Sequence, residues 1–275
     1  MRKLLIAFVV LVLALAAFIL YAHREALRDP IVRTATIRLP NWPSGAKPIR
    51  AVLISDLHLD GQAMDEVRLD RIVAQINALN PDIVFLAGDY IYGHDPAGAK
   101  KYGPGLVVPL SKLRPPLGVI AVLGNHDQWT GADIVRAQLA WAGVIVLEND
   151  AIARGPIAIG GVGDRYSGHD NLAATLAKLR PLAGARVLLT HSPDIAPDMP
   201  ADTSLLLAGH THCGQIVLPL WGPISDVSRY GARYRCGVRV EGARTVVVTA
   251  GLGTSGPMAL RLNAPPDLWL LTLGP

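Results

Sequence analysis

Aspartate, histidine and asparagine residues recur in this sequence where short apolar runs end. The run at 119–123 is followed by Gly124-Asn125-His126-Asp127. Four other apolar runs end in a similar way, at Asp56 and His58, at Asp89, at His191, and at His210 and His212. Carboxylate, amide and imidazole groups together form a mixed oxygen and nitrogen site that suits Mn, Fe, Zn, Ni or Mg. They do not form a tetrahedral cysteine site. Each motif alone is common in polar turns, but their recurrence predicts a metal centre.

Parallel strands are expected to bring these residues together. Short apolar runs bounded by glycine or polar residues are typical of buried parallel strands, whose carboxyl ends collect ligands in α/β sheets. Asp56 and His58 are two residues apart, so their side chains are expected to point the same way from an extended backbone. The glycines at 88, 124 and 209 are expected to permit sharp turns before the ligands.

From residue 49 onward, strand and helix patterns alternate, and the last third of the chain is rich in strands. Helices are predicted at 66–79, 110–113, 131–141 and 172–179, with a loop at 93–105. Strands are predicted at 31–39, 49–54, 82–87, 118–123, 144–147, 157–159, 186–189, 204–208, 214–218, 234–240, 244–250 and 268–273. This order predicts an α/β fold, a four-layer α/β/β/α sandwich of two mixed sheets flanked by helices.

An uncharged apolar segment lies near the start of the chain, from Leu4 to Ala22. As a helix it would span roughly 28 Å, close to the thickness of a bilayer core. This favours an uncleaved, single-pass anchor at 1–22, a linker with an edge strand at 23–48 and one large domain at 49–275. A cleaved signal peptide is the alternative. The large domain is expected on the extracytoplasmic side of the inner membrane, although basic residues flank both ends of the segment.

The net charge and the cysteine content bear on the possible ligands and on disulfide bonding. The net charge of +4 suits anionic lipid or phosphorylated substrates, and equally suits a solvated surface. No basic stripe with interleaved aromatic residues is present, so nucleic-acid binding is not indicated. The two cysteines, Cys213 and Cys236, form no disulfide framework, and one bridge or two free thiols both remain open.

At this point the sequence resembles a known family. The five motifs Asp56-x-His58, Gly88-Asp89, Gly124-Asn125-His126-Asp127, His191 and Gly209-His210-Thr211-His212 resemble the five blocks of the calcineurin-like metallophosphoesterase superfamily. The glycine-rich run at 251–256 is similar to the membrane-associated bacterial branch, which includes broad phosphodiesterases and UDP-2,3-diacylglucosamine hydrolase-like enzymes. One departure is Cys213, which stands where that branch usually has glycine.

The resemblance implies two divalent metal ions and a metal-bridging hydroxide that hydrolyses P–O bonds. The implied ligands are Asp56, His58 and His212 for one ion, Asn125, His191 and His210 for the other, and Asp89 as the bridge. His126 is implied to contact the phosphoryl group or protonate the leaving oxygen. Asp127 either orients His126 or caps the following turn.

The predicted function is a membrane-anchored phosphoesterase, with phosphodiesters favoured, acting on lipid or nucleotide-linked head groups. Loop arginines at 165, 229, 233 and 235 are candidate phosphate contacts, or simply solvated side chains. The alternative is a membrane-tethered metal-binding or scaffolding domain without turnover. A serine hydrolase is disfavoured because no Gly-x-Ser-x-Gly elbow is present.

Overall fold

The computed structural model describes residues 1–275, which form six α-helices and fourteen strands. The helices are α1 (Arg2–Leu27), α2 (Glu66–Ala78), α3 (Pro96–Tyr102), α4 (Pro104–Leu110), α5 (Asn125–Trp141) and α6 (Leu172–Leu179). The strands are β1 (Ile31–Arg38), β2 (Ile49–Ile54), β3 (Ile83–Ala87), β4 (Val119–Val122), β5 (Ile145–Val146), β6 (Asp150–Arg154), β7 (Ile157–Gly161), β8 (Ala185–Leu189), β9 (Leu205–Ala208), β10 (Val217–Leu218), β11 (Gly222–Pro223), β12 (Gly237–Glu241), β13 (Arg244–Val248) and β14 (Asp267–Gly274).

Twelve of the strands form two six-stranded mixed sheets, and β10 pairs with β11 in a separate hairpin. The first sheet has the order β1-β14-β2-β3-β4-β5, in which β2, β3 and β4 are parallel and β14 runs antiparallel to β2. The second has the order β12-β13-β9-β8-β7-β6, with four parallel central strands and an antiparallel strand at each edge. The parallel strands of each sheet therefore end on the same edge.

Three apolar layers hold the sheets and helices together. Phe85 of the first sheet and Val187 of the second are fully buried in the core between the sheets. Helices α2 to α5 cover the outer face of the first sheet, where Ile72 and Leu139 are buried. Helix α6 covers the outer face of the second sheet through residues such as Leu179. The predicted four-layer α/β/β/α sandwich is confirmed.

Helix α1 is long and apolar enough to cross a membrane, with a mean hydropathy of 3.1 over its best window. It continues to Leu27, beyond residue 22, where the predicted anchor ends. Only Ala22 and Ala26 of this helix are buried, because its last turns pack on the rest of the chain. The backbone N–H of Arg261 donates a hydrogen bond to the Ala22 carbonyl oxygen. The end of α1 is thus part of the folded domain.

The prediction of a loop at 93–105 is wrong, because this glycine- and proline-rich stretch contains helix α3 and the start of helix α4. Pro96 and Pro104 each stand at the first position of a helix, where the missing N–H costs no hydrogen bond. The Asp95 side chain caps α3 by accepting a hydrogen bond from the N–H of Ala97. Helix α5 also begins six residues earlier than predicted, at Asn125 rather than 131, and Gly131 kinks it.

Candidate metal centre

Seven of the predicted site residues converge where strands of the two sheets end. The first sheet contributes the residues that follow β2, β3 and β4, and the second contributes those that follow β8 and β9. All seven residues are at most 6% exposed. They are Asp56, His58, Asp89, Asn125, His191, His210 and His212. Polar side chains at this depth need hydrogen-bond partners or a bound ion, because an unpaired buried polar group is costly.

The backbone at these positions is left-handed rather than extended. The φ angles are positive at five of the seven residues, namely Asp56, His58, Asp89, His210 and His212. The prediction that Asp56 and His58 point the same way from an extended backbone is therefore wrong. Their backbone is left-handed, and tight turns bring the two side chains together. Left-handed non-glycine residues are uncommon and cluster at functional sites.

The glycines before the ligands act in two different ways. Gly88 adopts a φ of 88°, a conformation that glycine reaches without steric cost, and so permits the sharp turn predicted for it. Gly124 and Gly209 have ordinary backbone angles but no space for a side chain. A Cβ at Gly124 would collide with Asp89 Oδ1, and one at Gly209 would collide with the Ser55 hydroxyl. Gly124 thus allows the ends of two neighbouring strands of the first sheet to approach closely, and Gly209 does the same for one strand end from each sheet.

Each carboxylate of the centre has one oxygen held by the chain and one directed at histidines. The Ser55 hydroxyl and the His210 N–H donate to Asp56 Oδ2, leaving the buried Oδ1 without a hydrogen-bond partner and 3.3 Å from His212 Nε2. The His126 N–H donates to Asp89 Oδ1. Asp89 Oδ2 lies 3.1 Å from His191 Nε2 and 3.6 Å from His58 Nε2.

The imidazoles face one another in two pairs. His58 Nε2 lies 3.1 Å from His212 Nε2, and His210 Nδ1 lies 3.2 Å from His191 Nε2. Nitrogen ligands that share a cation stand roughly 3 Å apart, since each metal–nitrogen bond is about 2.1 Å. Asn125 Oδ1 is also buried and has no hydrogen-bond partner. The spacing and the unpaired donor atoms both fit two neighbouring divalent ions.

The charge states of the centre also suit metal binding. Burial lowers the pKa of His58 and His210 to about 3, so both rings are neutral at pH 7 and keep a free lone pair. Burial opposes ionisation of Asp89, but the surrounding histidines, His191 foremost, together hold the pKa of Asp89 below its usual range. Metal ligands must be deprotonated, and these three groups meet that condition. Burial lowers the pKa of His191, but Asp89 raises it above its usual range, so an ion that binds there would displace a proton.

His126 and Asp127 lie beside these seven residues but make different contacts. The His126 ring is held through Nδ1, which lies 2.8 Å from the Gly93 carbonyl oxygen. Asp127 does not hydrogen-bond this ring; its carboxylate accepts hydrogen bonds from the N–H groups of Asp89, Tyr90 and Gly124. The catalytic assignment of Asp127 as the group that orients His126 is therefore corrected. Its alternative role as a cap is the one that the contacts support.

Two features that support His212 were not predicted from the sequence. The buried Arg261 donates to the carbonyl oxygens of Ala250 and Gly253, and its Nη2 lies 3.3 Å from His212 Nδ1. Cys213 and Cys236 form a disulfide, which resolves the alternatives left open by the sequence. Cys213 has a φ of 54°, so cysteine occupies a left-handed position that suits the glycine usual in similar sequences.

A cavity of about 400 Å³ lies above the centre. Its floor is formed by Asp89, Asn125, His126, His210 and His212. Its wall combines aromatic and apolar side chains with polar ones. The first group is His94, Trp129, Tyr166, Ile216, Ile224 and Val227, and the second includes Thr211, Gln215, Ser225 and Ser255. Tyr166 lies against the floor, with its ring centroid 4.6 Å from that of His210. The cavity can thus accommodate an organic group next to the metal ligands.

Three of the four loop arginines are engaged in ion pairs away from the floor. Arg165 pairs with Asp170 and Asp198, Arg233 with Glu241, and Arg235 with Asp226. None of the four lines the cavity. The interpretation of these side chains as solvated loop residues therefore fits better than a role as phosphate contacts.

A two-sheet sandwich with Asp, Asn and His donors at its strand ends has the donor set of a metal-binding protein. The family model of calcineurin-like phosphoesterases matches residues 49–214. Metallophosphoesterase YkuE of Bacillus subtilis is 31% identical over 264 residues, covering 92% of this chain and 89% of that protein. Phosphodiesterase YaeI of Escherichia coli is 30% identical over 253 residues, covering 86% of each chain. A Danio rerio transmembrane protein with a metallophosphoesterase domain is 31% identical over 265 residues, covering 89% of this chain and 58% of that protein.

The chain belongs to the calcineurin-like phosphoesterase family, as its motifs predicted. It is accordingly a metal-dependent phosphoester hydrolase.

Proposed function

We propose that this protein is a membrane-anchored phosphodiesterase that uses two divalent metal ions. The observation that carries the proposal is the set of seven buried donor side chains beneath a cavity whose wall carries aromatic and apolar side chains. A phosphodiester has an organic group on both sides of phosphorus, and the wall offers a surface for the second group. The similarity to a protein named phosphodiesterase YaeI supports the same choice.

The ligand assignment follows the spacing of the donor atoms. One ion would be held by Asp56, His58 and His212, the other by Asn125, His191 and His210, and Asp89 would serve both. Asn125 is included because its buried Oδ1 has no hydrogen-bond partner. Mn, Fe, Zn, Ni or Mg all accept such mixed oxygen and nitrogen donors. When bound, the ions would acidify water and neutralise charge on the phosphoryl oxygens.

His126 is proposed to supply the proton that the leaving oxygen needs. Its Nδ1 lies 2.8 Å from the Gly93 carbonyl oxygen and 3.4 Å from the Gly93 nitrogen, and the shorter contact favours a proton on Nδ1, which leaves Nε2 to exchange a proton with substrate. In its protonated form the ring can donate that proton to the leaving oxygen as the P–O bond breaks. The N–H of the same residue holds Asp89 Oδ1, so one residue positions a ligand and serves the leaving group.

Helix α1 is proposed to anchor the catalytic domain on the extracytoplasmic side of the inner membrane. Its apolar composition supports a membrane span. The disulfide between Cys213 and Cys236 supports the side, because such bonds persist in oxidising compartments and are rare in the cytosol.

The test is hydrolysis of bis-p-nitrophenyl phosphate by the full-length protein in Mn²⁺, compared with the monoester p-nitrophenyl phosphate. We expect faster hydrolysis of the diester and loss of activity in His210→Ala. His169→Ala is the matched control, since His169 is exposed and does not line the cavity. Full activity of His210→Ala, or metal binding with no hydrolysis of either ester, would contradict the proposal.

A further inference from the structure

Two large apolar residues stand at the tip of the hairpin formed by β10 and β11. Leu220 is fully exposed and Trp221 is 83% exposed. Leu220 also has a φ of 71°, a conformation that glycine adopts at lower cost. Adjacent exposed apolar side chains of this size, in a turn that would favour small polar residues, mark a surface that contacts an apolar partner.

This hairpin is attached to the strip of chain that holds the end of α1. The N–H of Val217 donates to the Leu262 carbonyl oxygen, and the Asn263 side chain donates to the Val217 carbonyl oxygen. Next to these contacts, the N–H of Arg261 donates to the carbonyl oxygen of Ala22. His23 Nδ1 lies 2.9 Å from the Ala259 carbonyl oxygen in the same strip. Residues 259–263 therefore link the hairpin to the last turns of α1.

The same strip lies close to the metal centre. Arg261 contacts Ala22 through its backbone, and its guanidinium lies 3.3 Å from His212 Nδ1. One residue thus connects the point where the apolar stretch of α1 ends to a proposed metal ligand. A bilayer crossed by α1 would therefore have its surface on the side of the domain where Arg261 supports the metal centre.

Apolar side chains continue from the hairpin to the cavity, and one of them is exposed. Ile216 and Ile224 flank the hairpin tip in sequence and line the cavity wall, and Ile224 is 65% exposed. Met258, next to the strip that holds α1, is also exposed. An apolar border on this side of the mouth suits the interfacial region of a membrane, where tryptophan is enriched.

We propose that Leu220 and Trp221 insert into the interfacial region of the phospholipid bilayer that α1 spans, so that the cavity receives a phosphodiester carried on a lipid head group. This proposal rests on the phosphodiesterase function and the anchor proposed above. In the reaction, water adds to phosphorus and the P–O bond to one alcohol breaks. The leaving oxygen takes a proton, and the products are a phosphomonoester and an alcohol.

The first test compares two diesters with the same leaving group. Full-length protein is placed in vesicles of phosphatidylethanolamine and phosphatidylglycerol, and p-nitrophenol release is followed from soluble bis-p-nitrophenyl phosphate and from the p-nitrophenyl ester of phosphatidic acid. The double variant Leu220→Ser, Trp221→Ser should lose about tenfold in rate on the lipid ester, because the tip no longer partitions into the interface. Its rate on the soluble ester should be unchanged.

Trp141→Ser is the matched control, since Trp141 is 70% exposed on α5 and does not line the cavity. An unchanged rate of the double variant on the lipid ester, or an equal loss on both esters, would overturn the insertion proposal. A wild-type protein that hydrolyses neither ester would instead count against the phosphodiesterase function, and the second test would still decide on insertion.

The second test does not depend on catalysis. The full-length protein, which has five tryptophans, is placed in vesicles whose acyl chains are dibrominated, and quenching of tryptophan fluorescence is measured. Most of the quenching should disappear in Trp221→Phe and persist in Trp141→Phe. Quenching that is the same in Trp221→Phe as in the wild type would overturn the proposal.

Discussion

The floor of the cavity and the tip of the β10–β11 hairpin differ in how firmly the chain holds their side chains. On the floor, one oxygen of Asp89 is held by a backbone N–H, while the other faces two histidines. At the tip, Leu220 and Trp221 are exposed. A group that takes part in bond breaking must be held in place before substrate arrives, whereas a group that meets a fluid membrane needs only to be accessible.

This difference separates two kinds of mutational effect. Substitutions on the floor should lower the rate on every substrate, because they disturb the geometry of the ligands. Substitutions at the tip should lower the rate only on substrates held in a membrane. The following changes test the floor, from the largest expected effect to the smallest.

Asp89→Asn should have the largest effect, because Asp89 lies between both histidine pairs. Loss of its charge removes the group proposed to serve both ions, and hydrolysis of bis-p-nitrophenyl phosphate should fall by about 10³-fold or more. Metal content measured by mass spectrometry should fall in parallel. Asp133→Asn is the control, because the Asp133 side chain is 96% exposed on α5. A variant that keeps its rate and both ions would remove Asp89 from the centre.

His126→Gln should lower kcat by about 10²-fold, because the leaving oxygen loses its proton donor. Metal content should stay at the wild-type level, since the ligand set proposed above does not include His126. His126 nevertheless lies close enough to His58 and Asp89 to join them around an ion. Loss of an ion in His126→Gln would therefore show that this residue is a ligand, and would contradict its assignment as proton donor.

Ser55→Ala should weaken metal binding by about tenfold, because Asp56 loses the hydroxyl that orients its carboxylate. The free energy of unfolding should fall by about 1 kcal/mol, since one buried hydrogen bond is lost. Metal titration and urea denaturation measure the two effects. Ser111→Ala should change neither, because Ser111 follows α4 and its hydroxyl donates only a solvent-exposed hydrogen bond to the Val108 carbonyl oxygen. Unaltered metal affinity in Ser55→Ala would contradict a positioning role.

Removal of the disulfide should have the smallest effect on rate. Replacing Cys213 and Cys236 together by serine should lower the free energy of unfolding by about 3 kcal/mol, because the unfolded chain gains freedom. The rate should fall by less than about tenfold, as His212 is also held by the folded strip around Arg261. Urea denaturation with and without reductant gives the stability, and equal midpoints would contradict a stabilising bond.

Much of the floor could be predicted from the sequence because its ligands follow their strands directly. Asp89 comes two residues after β3, and His191 comes two residues after β8. Parallel strands of one sheet end on one edge, so local motifs were enough to predict the convergence. The sequence pattern did not determine the backbone conformation, because the same pair spacing is compatible with extended and with left-handed residues.

The contacts that support the floor could not be predicted, since they join residues far apart in the chain. Asp127 binds the backbone of Asp89 across 38 residues, and Arg261 reaches His212 across 49. No local pattern marks either pairing. Helices α3 and α4 were missed for another reason, because proline and glycine signal a loop unless the capping contacts are known.

Titration of metal-free protein with Mn²⁺ tests the two-ion centre most directly. Full-length protein is stripped with a chelator, the chelator is removed, and Mn²⁺ is added stepwise while bis-p-nitrophenyl phosphate hydrolysis is measured. Since Asp89 is proposed to serve two ions, activity should stay low through the first equivalent and reach its plateau at two per chain. Full activity with one equivalent, or in the metal-free protein, would contradict the account.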